Sequence, residues 1–187
     1  MKKKIMVDMD DVMCGGGFLG LINEFLGTNY TEDDIVGYYM QNLIPPEKQA
    51  EFLDYLMAKN FYDYCHIYPN AQAVLKELQT QYEVFIGTSY VIPDRERESG
   101  IILWHKYNFL QEHFPFLNPQ NYVFVGNKDI LACYAKIDDR LKHLKNARRK
   151  LLYTAYHNKH LEDDYLQEQG VERVDDWMHV KTKLLKR

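Results

Sequence analysis

The chain has 187 residues, 46% of them hydrophobic and 27% charged, with a formal net charge of −4 and a pI near 6.0. A chain of this size and composition can bury a core without a disulfide or structural metal. Its charge balance excludes a global pull towards nucleic-acid polymers or anionic membranes, so an anionic small molecule has to be held locally.

The opening "MKKKIMVDMDD" has an apolar run that breaks at Asp8, too short for a signal peptide or a membrane span. "KKIMVD" reads as a buried strand, and "FLGLINEFLG" as a helix ending at Gly27. "TEDD" offers Thr31 as a helix cap followed by acids. "PPEKQAEFLDYLMAKN" follows as a helix with proline at its start. "PNAQAVLKELQTQ" is a helix leading into the strand "YEVFIGTS". The charged loop "PDRERESG" comes next, then the helical "ILWHKYNFLQEHF". The remainder alternates: strands "NYVFVG" and "YAKIDD", helix "RLKHLKNA", strand "KLLYTAY", helix "LEDDYLQEQG", strand "VERV" and helix "DDWMHVKTKLLKR". Cys14, Cys65 and Cys133 are scattered and form no CxxC pair, which points to reduced, cytoplasmic thiols and away from a zinc site.

Strands alternating with helices predict an α/β fold, a three-layer Rossmann-like core around a parallel sheet. The stretch from 17 to 65 is helical and contains no strand. It is expected to form a small helical cap inserted after the first strand, leaving 1–16 and 66–187 as the core.

In open α/β sheets, ligands bind at the carboxyl ends of the strands. Asp8 and Asp10 follow the first strand, Thr88 and Ser89 follow "VFIG", and Asp138 and Asp139 follow "YAKI". Like charges ~4 Å apart repel by about 4 kcal/mol at an effective dielectric of ~20. Clustered carboxylates are therefore either fully solvated, as an isolated strand-end cluster usually is, or hold a cation among them, the reading that three converging strand ends favour. A phosphate ester and an attacking carboxylate are both anionic and make the same demand. In this reading Asp8 is a nucleophile, and Asp10 protonates the leaving group and later activates water. Thr88 and Ser89 donate to phosphoryl oxygens, and Lys106, near the start of its helix, balances charge. Asp8, Asp10 and Asp138, with Asp139 alongside, offer hard oxygen ligands that suit Mg²⁺.

"DMDDV", "VFIGTS", Lys106 in "HKYNFL" and "KIDD" resemble the four motifs of the haloacid dehalogenase superfamily of phosphohydrolases. "KNFYDYCHIYPNAQAVLKEL", "HKYNFLQEHFPF" and "NKDILACYAKIDDR" are similar to segments of the 5′(3′)-deoxyribonucleotidase family. The resemblance covers roughly residues 4 to 158. It implies a Mg²⁺-dependent, cytoplasmic phosphomonoesterase that acts on 5′- or 3′-(deoxy)nucleotides through an aspartyl-phosphate, with Phe61, Tyr62, Lys128 and Asp139 as further substrate contacts. Three positions depart from the family pattern. Asp11 stands where glycine is usual, Gly15 to Gly17 where an aromatic stacks on the base, and Gly126 where an arginine precedes Lys128. Tyr38, Tyr39, Phe61 or Tyr62 can supply the stacking surface instead.

Other readings of the same residues are blander or belong to different chemistry. A phosphatase of the same superfamily acting on another small ester, such as a sugar phosphate, shares the motifs. A non-catalytic phospho-acceptor domain also gathers acids at strand ends, although its phosphorylated Asp lies on a later strand. "GGG" reads as a flexible hinge into the cap, because no Lys-Ser/Thr follows it as in a P-loop. "HNKH" at 157–160 has metal-like spacing but reads as loop, and Lys142 to Lys150 reads as a solvated helix face. The oligomeric state is open between a monomer and a homodimer.

Overall fold

The computed structural model describes residues 1–185. In chain order its elements begin with β1 (Lys3–Val7), β2 (Cys14–Gly15), α1 (Gly17–Leu26), α2 (Gln49–Ala58), β3 (His66–Ile67), α3 (Ala71–Gln81) and β4 (Tyr82–Thr88). They continue with α4 (Gly100–His113), β5 (Tyr122–Phe124), β6 (Cys133–Asp138), β7 (Ala147–Tyr153), α5 (Asp163–Glu168), β8 (Val171–Val174) and α6 (Trp177–Leu184). Among the described residues, no helix is long and apolar enough to cross a membrane.

Six strands form one parallel sheet in the order β5-β4-β1-β6-β7-β8. A strand buried on both faces reads as a continuous apolar run, and in β1 Ile5, Met6 and Val7 are all buried. The helices that cover the sheet bury residues at helical spacing. Ala71, Val74, Leu75 and Leu78 do so in α3, and Trp177, Val180 and Leu184 in α6. A smaller cluster of Leu144, Leu152, Leu166 and Val171 closes the β8 edge.

The register brings three strand ends together. Val7 pairs with Ile86 on one side and Ile137 on the other. The residues just beyond, Asp8, Thr88 and Asp138, therefore emerge side by side at the same edge of the sheet. Between the short antiparallel strands β2 and β3 the chain leaves the sheet and carries α1, α2 and several 3₁₀ turns.

Three expectations need correction, and a fourth stretch shows a packing requirement. Gly15 to Gly17, expected as a hinge into the cap, are packed too closely to carry side chains. A Cβ at Gly15 would run into the Tyr68 hydroxyl, and one at Gly17 would meet Cys65 Sγ and come within 2.7 Å of Phe61 O. Only Gly16 needs glycine for its backbone, at φ +82°. The helix expected over "RLKHLKNA" shrinks to a 3₁₀ turn, Leu141–Leu144, because Asn146 turns left-handed at φ 59° and Ala147 already opens β7. The basic stretch Lys142 to Lys150 is therefore part turn and part strand, and not a helix face. Lys106 lies in the middle of α4, away from its start. Lys186 and Arg187 of the final "KTKLLKR" lie outside the described residues.

Candidate active site

The site begins where β1 ends. The Asp8 N–H donates to Ile137 O at 2.9 Å, which extends the β1–β6 ladder by one residue. Asp8 Oδ1 accepts from Met9 N at 2.7 Å, fixing the carboxylate against its own backbone. The chain then turns tightly: Met9 O accepts from the N–H groups of Val12, Met13 and Cys14, and Asp11 takes φ 56°. From the far end of the sequence, Trp177 Nε1 donates to Val12 O at 2.8 Å and ties this turn to α6.

Two buried lysines divide the acidic groups. Lys106, 2% exposed, ion-pairs with Asp10 Oδ2 and donates to Thr88 Oγ1 at 2.8 Å. The Tyr62 hydroxyl donates to Asp10 Oδ1 at 2.6 Å, so both Asp10 oxygens are engaged. Lys128, 1% exposed, lies 2.7 Å from Asp8 Oδ2 and 2.7 Å from Asp138 Oδ2. A charged amine is costly to bury unless paired, and here each lysine is paired with the carboxylate of a strand end.

Asp138 receives two further donors on its other oxygen. Arg140 N and His143 Nδ1 both lie 3.0 Å from Oδ1. Asp8, Asp138 and His143 offer ligand atoms within 4.8 Å of one another and could hold a metal ion. The fit to a hard divalent cation rests on the two carboxylates, which converge on one cationic nitrogen, and on an oxygen-rich donor set. Asp10 and Asp139 stand outside this group. Asp10 is taken up by Tyr62 and Lys106, and Asp139 Oδ2 is turned onto His157 Nε2 at 2.7 Å.

The electrostatics follow burial and partners. Burial pushes the Asp8 carboxyl up to about 6, with Lys128 pulling the other way. Asp138 is buried equally deeply, yet Lys128 and the His143 hydrogen bond outweigh burial and hold it at about 2. Burial raises Asp139 well above the ordinary carboxylate range, reinforced by Asp8 and Asp138. Asp11 is pushed up to about 8 by burial and by Asp10, and His157 down to about 4 by burial and Arg140.

A cleft of about 490 Å³ opens above these groups, with Asp10, Lys106, Ser89, Arg140, Tyr38 and Tyr90 among its walls. Two links close it from the side of α1 and α2. The Arg140 guanidinium sits 3.9 Å from the Tyr38 ring centroid and donates to the Tyr38 hydroxyl at 3.0 Å. On the other side Arg95 reaches Asp54 Oδ1 at 2.6 Å. Phe61 lines the cleft, whereas Tyr62 is buried behind it with its hydroxyl on Asp10.

The fold thus joins Asp8, Lys128 and Asp138 in one set of ion pairs and Asp10, Lys106 and Thr88 in a second, and leaves Ser89 and Phe61 on the cleft wall. Sequence reasoning missed Arg140, His143 and Trp177. Arg140 and His143 lie within five residues of Asp138, and that proximity was the available signal. Trp177 had none, since its contact spans the length of the domain.

The sequence model of the family described as 5′ nucleotidase, deoxy (pyrimidine), cytosolic type C matches residues 2–186. The chain belongs to this family. It is accordingly a phosphoric monoester hydrolase. A Staphylococcus epidermidis relative is 32% identical over 96% of this chain and 94% of its own length. The 5′(3′)-deoxyribonucleotidase of Bacillus subtilis is 30% identical, over 99% of this chain and all of its own. Among solved structures, a haloacid dehalogenase-like hydrolase from Xanthomonas campestris superposes with a TM-score of 0.55 at 13% identity, covering 97% of this chain and 95% of that one. That likeness establishes a haloacid dehalogenase-like fold for this member of the 5′ nucleotidase family.

Proposed function

We propose that the chain is a Mg²⁺-dependent 5′(3′)-deoxyribonucleotidase of the cytoplasm, working through an aspartyl-phosphate, with residues 17–65 forming a cap over the core. The observation that carries the reading is the pair of lysine bridges. Lys128 joins Asp8 to Asp138 and Lys106 joins Asp10 to Thr88, and of these groups Asp10 and Lys106 line the cleft. The named activity of the Bacillus relative and the tyrosines of the cleft support a deoxynucleoside monophosphate as substrate.

In the first step an Asp8 carboxylate oxygen bonds to phosphorus while the ester P–O bond breaks and Asp10 gives its proton to the departing oxygen. In the second, Asp10 takes a proton from water as the water oxygen attacks phosphorus, releasing Asp8 and inorganic phosphate. Thr88, Ser89 and Lys106 donate to the phosphoryl oxygens. Mg²⁺ held by Asp8 and Asp138 would supply the positive charge that lets one anion approach another. Tyr38 and Tyr39 offer flat faces to the base, taking the place of the aromatic that the glycines at 15–17 lack.

The test is phosphate release from a panel of 5′- and 3′-monophosphates of both sugars, together with sugar phosphates, in Mg²⁺ and in EDTA. The expected result is Mg²⁺-dependent release concentrated on deoxynucleotides and lost in Asp8→Asn, with the melting transition of that variant retained. Release from sugar phosphates alone overturns the substrate, and wild-type turnover by Asp8→Asn overturns the mechanism.

A further inference from the structure

We propose that His143 is a positioning residue for the divalent cation, holding one oxygen of the Asp138 carboxylate so that the other, the one on the Lys128 side, is presented to the ion. The inference rests on reading Asp8 and Asp138 as the holders of that cation, and it concerns a residue outside the four motifs.

The two oxygens of Asp138 have different surroundings. Oδ1 accepts from Arg140 N and from His143 Nδ1, each at 3.0 Å. Oδ2 accepts from Lys128 Nζ at 2.7 Å, the same nitrogen that lies 2.7 Å from Asp8 Oδ2. A carboxylate only accepts, so Nδ1 carries the proton of this bond. Arg140 N is a backbone donor in the same turn and fixes where Oδ1 sits. The ring supplies a second donor from another direction, so the plane of the carboxylate cannot rotate without breaking one of the two bonds.

His143 is itself held in place. It lies in the 3₁₀ turn Leu141–Leu144, and its own N–H donates to Arg140 O at 3.0 Å. The next residue, Leu144, is fully buried among Leu152, Leu166 and Val171. A rigid turn thus carries the ring, and an apolar cluster anchors the turn. Partners that orient a ligating carboxylate in this way change metal affinity by roughly ten- to a hundredfold when removed, because the ligand no longer arrives pre-ordered.

Mn²⁺ is the probe, since its free and bound forms are distinguished by electron paramagnetic resonance without any turnover. The unsubstituted chain is expected to bind one Mn²⁺, with His143→Ala weaker by roughly ten- to a hundredfold. His143→Asn, whose amide N–H can stand where the ring N–H stood, is expected to restore binding close to that of the unsubstituted chain. Spin-echo measurements on the Mn²⁺-loaded unsubstituted chain are expected to show no directly bound nitrogen, and they do not depend on any variant folding. Equal binding by His143→Ala, an asparagine variant as weak as the alanine one, or a directly bound nitrogen would each overturn the positioning role. Failure of the unsubstituted chain to bind Mn²⁺ would instead overturn the cation reading beneath it.

Discussion

Asp10 has one carboxylate oxygen on the Tyr62 hydroxyl and the other on Lys106, so its aim depends on two side chains brought from outside its own strand. Tyr62 stands 52 residues away and sits behind the cleft wall. A hydrogen bond to a charged group is worth about 1.5–3 kcal/mol. Tyr62→Phe should therefore lower kcat by roughly ten- to a hundredfold. KM for a deoxynucleotide should stay the same, because the lost hydroxyl faces Asp10 and not the substrate. Steady-state kinetics on a single substrate would check this, and a change confined to KM would contradict it. Much of this level was readable in advance. Aspartates at strand ends reveal themselves because an apolar run gives way there to clustered acids. Tyr62 and Lys128 were legible only as candidates, since nothing in their immediate sequence distinguishes a residue facing a ligand from one that braces a carboxylate.

β8 forms the outer edge of the sheet, and Arg149 on β7 clasps Glu172 on β8 through both guanidinium Nη2 contacts, at 2.7 and 2.9 Å. The Arg149 Nη1 also donates to Lys183 O, tying the last strand pair to α6. Burial alone would raise the Glu172 carboxyl, but hydrogen bonds from Arg149 and Lys183 hold it below its ordinary value of 4.5. The unfolded chain then takes up its proton at a higher pH than the folded one, so the link contributes in full above about 4.5 and is lost as pH falls through the folded value. Glu172→Gln should cost about 0.5–1 kcal/mol at neutral pH, the modest worth of a half-exposed pair. Urea titration should show the cost shrinking in acid. This clasp also explains why the sequence misled over Lys142 to Lys150. Repeated lysines and arginines read as a solvated helix face, yet the left-handed Asn146 ends the turn and cross-strand pairing with Glu172 gives Arg149 a strand position. Tertiary pairing overrode local propensity.

At the scale of the whole molecule, the helical stretch between β2 and β3 is fastened over the cleft at two separated points, Tyr38 to Arg140 and Arg95 to Asp54. Arg95 belongs to the loop after β4 and touches nothing in the acidic network. Its removal should let the cleft open more often without altering the reacting groups. Arg95→Ala is expected to raise KM roughly fivefold, the equivalent of about 1 kcal/mol, with kcat little changed and faster amide hydrogen exchange in α2. A fall in kcat with unchanged exchange would contradict it.

The bond from Trp177 to the Val12 carbonyl sets an order in time. During translation the turn carrying Asp10 and Asp11 leaves the ribosome 165 residues ahead of the indole that ties it down. At ~5–20 residues per second, that separation is on the order of ten to thirty seconds of synthesis. Through that interval the nascent chain carries the acidic sequence without the brace behind it. The brace on that turn therefore arrives only with α6, so a chain halted before Trp177 holds the acidic letters without the tie that fixes their turn.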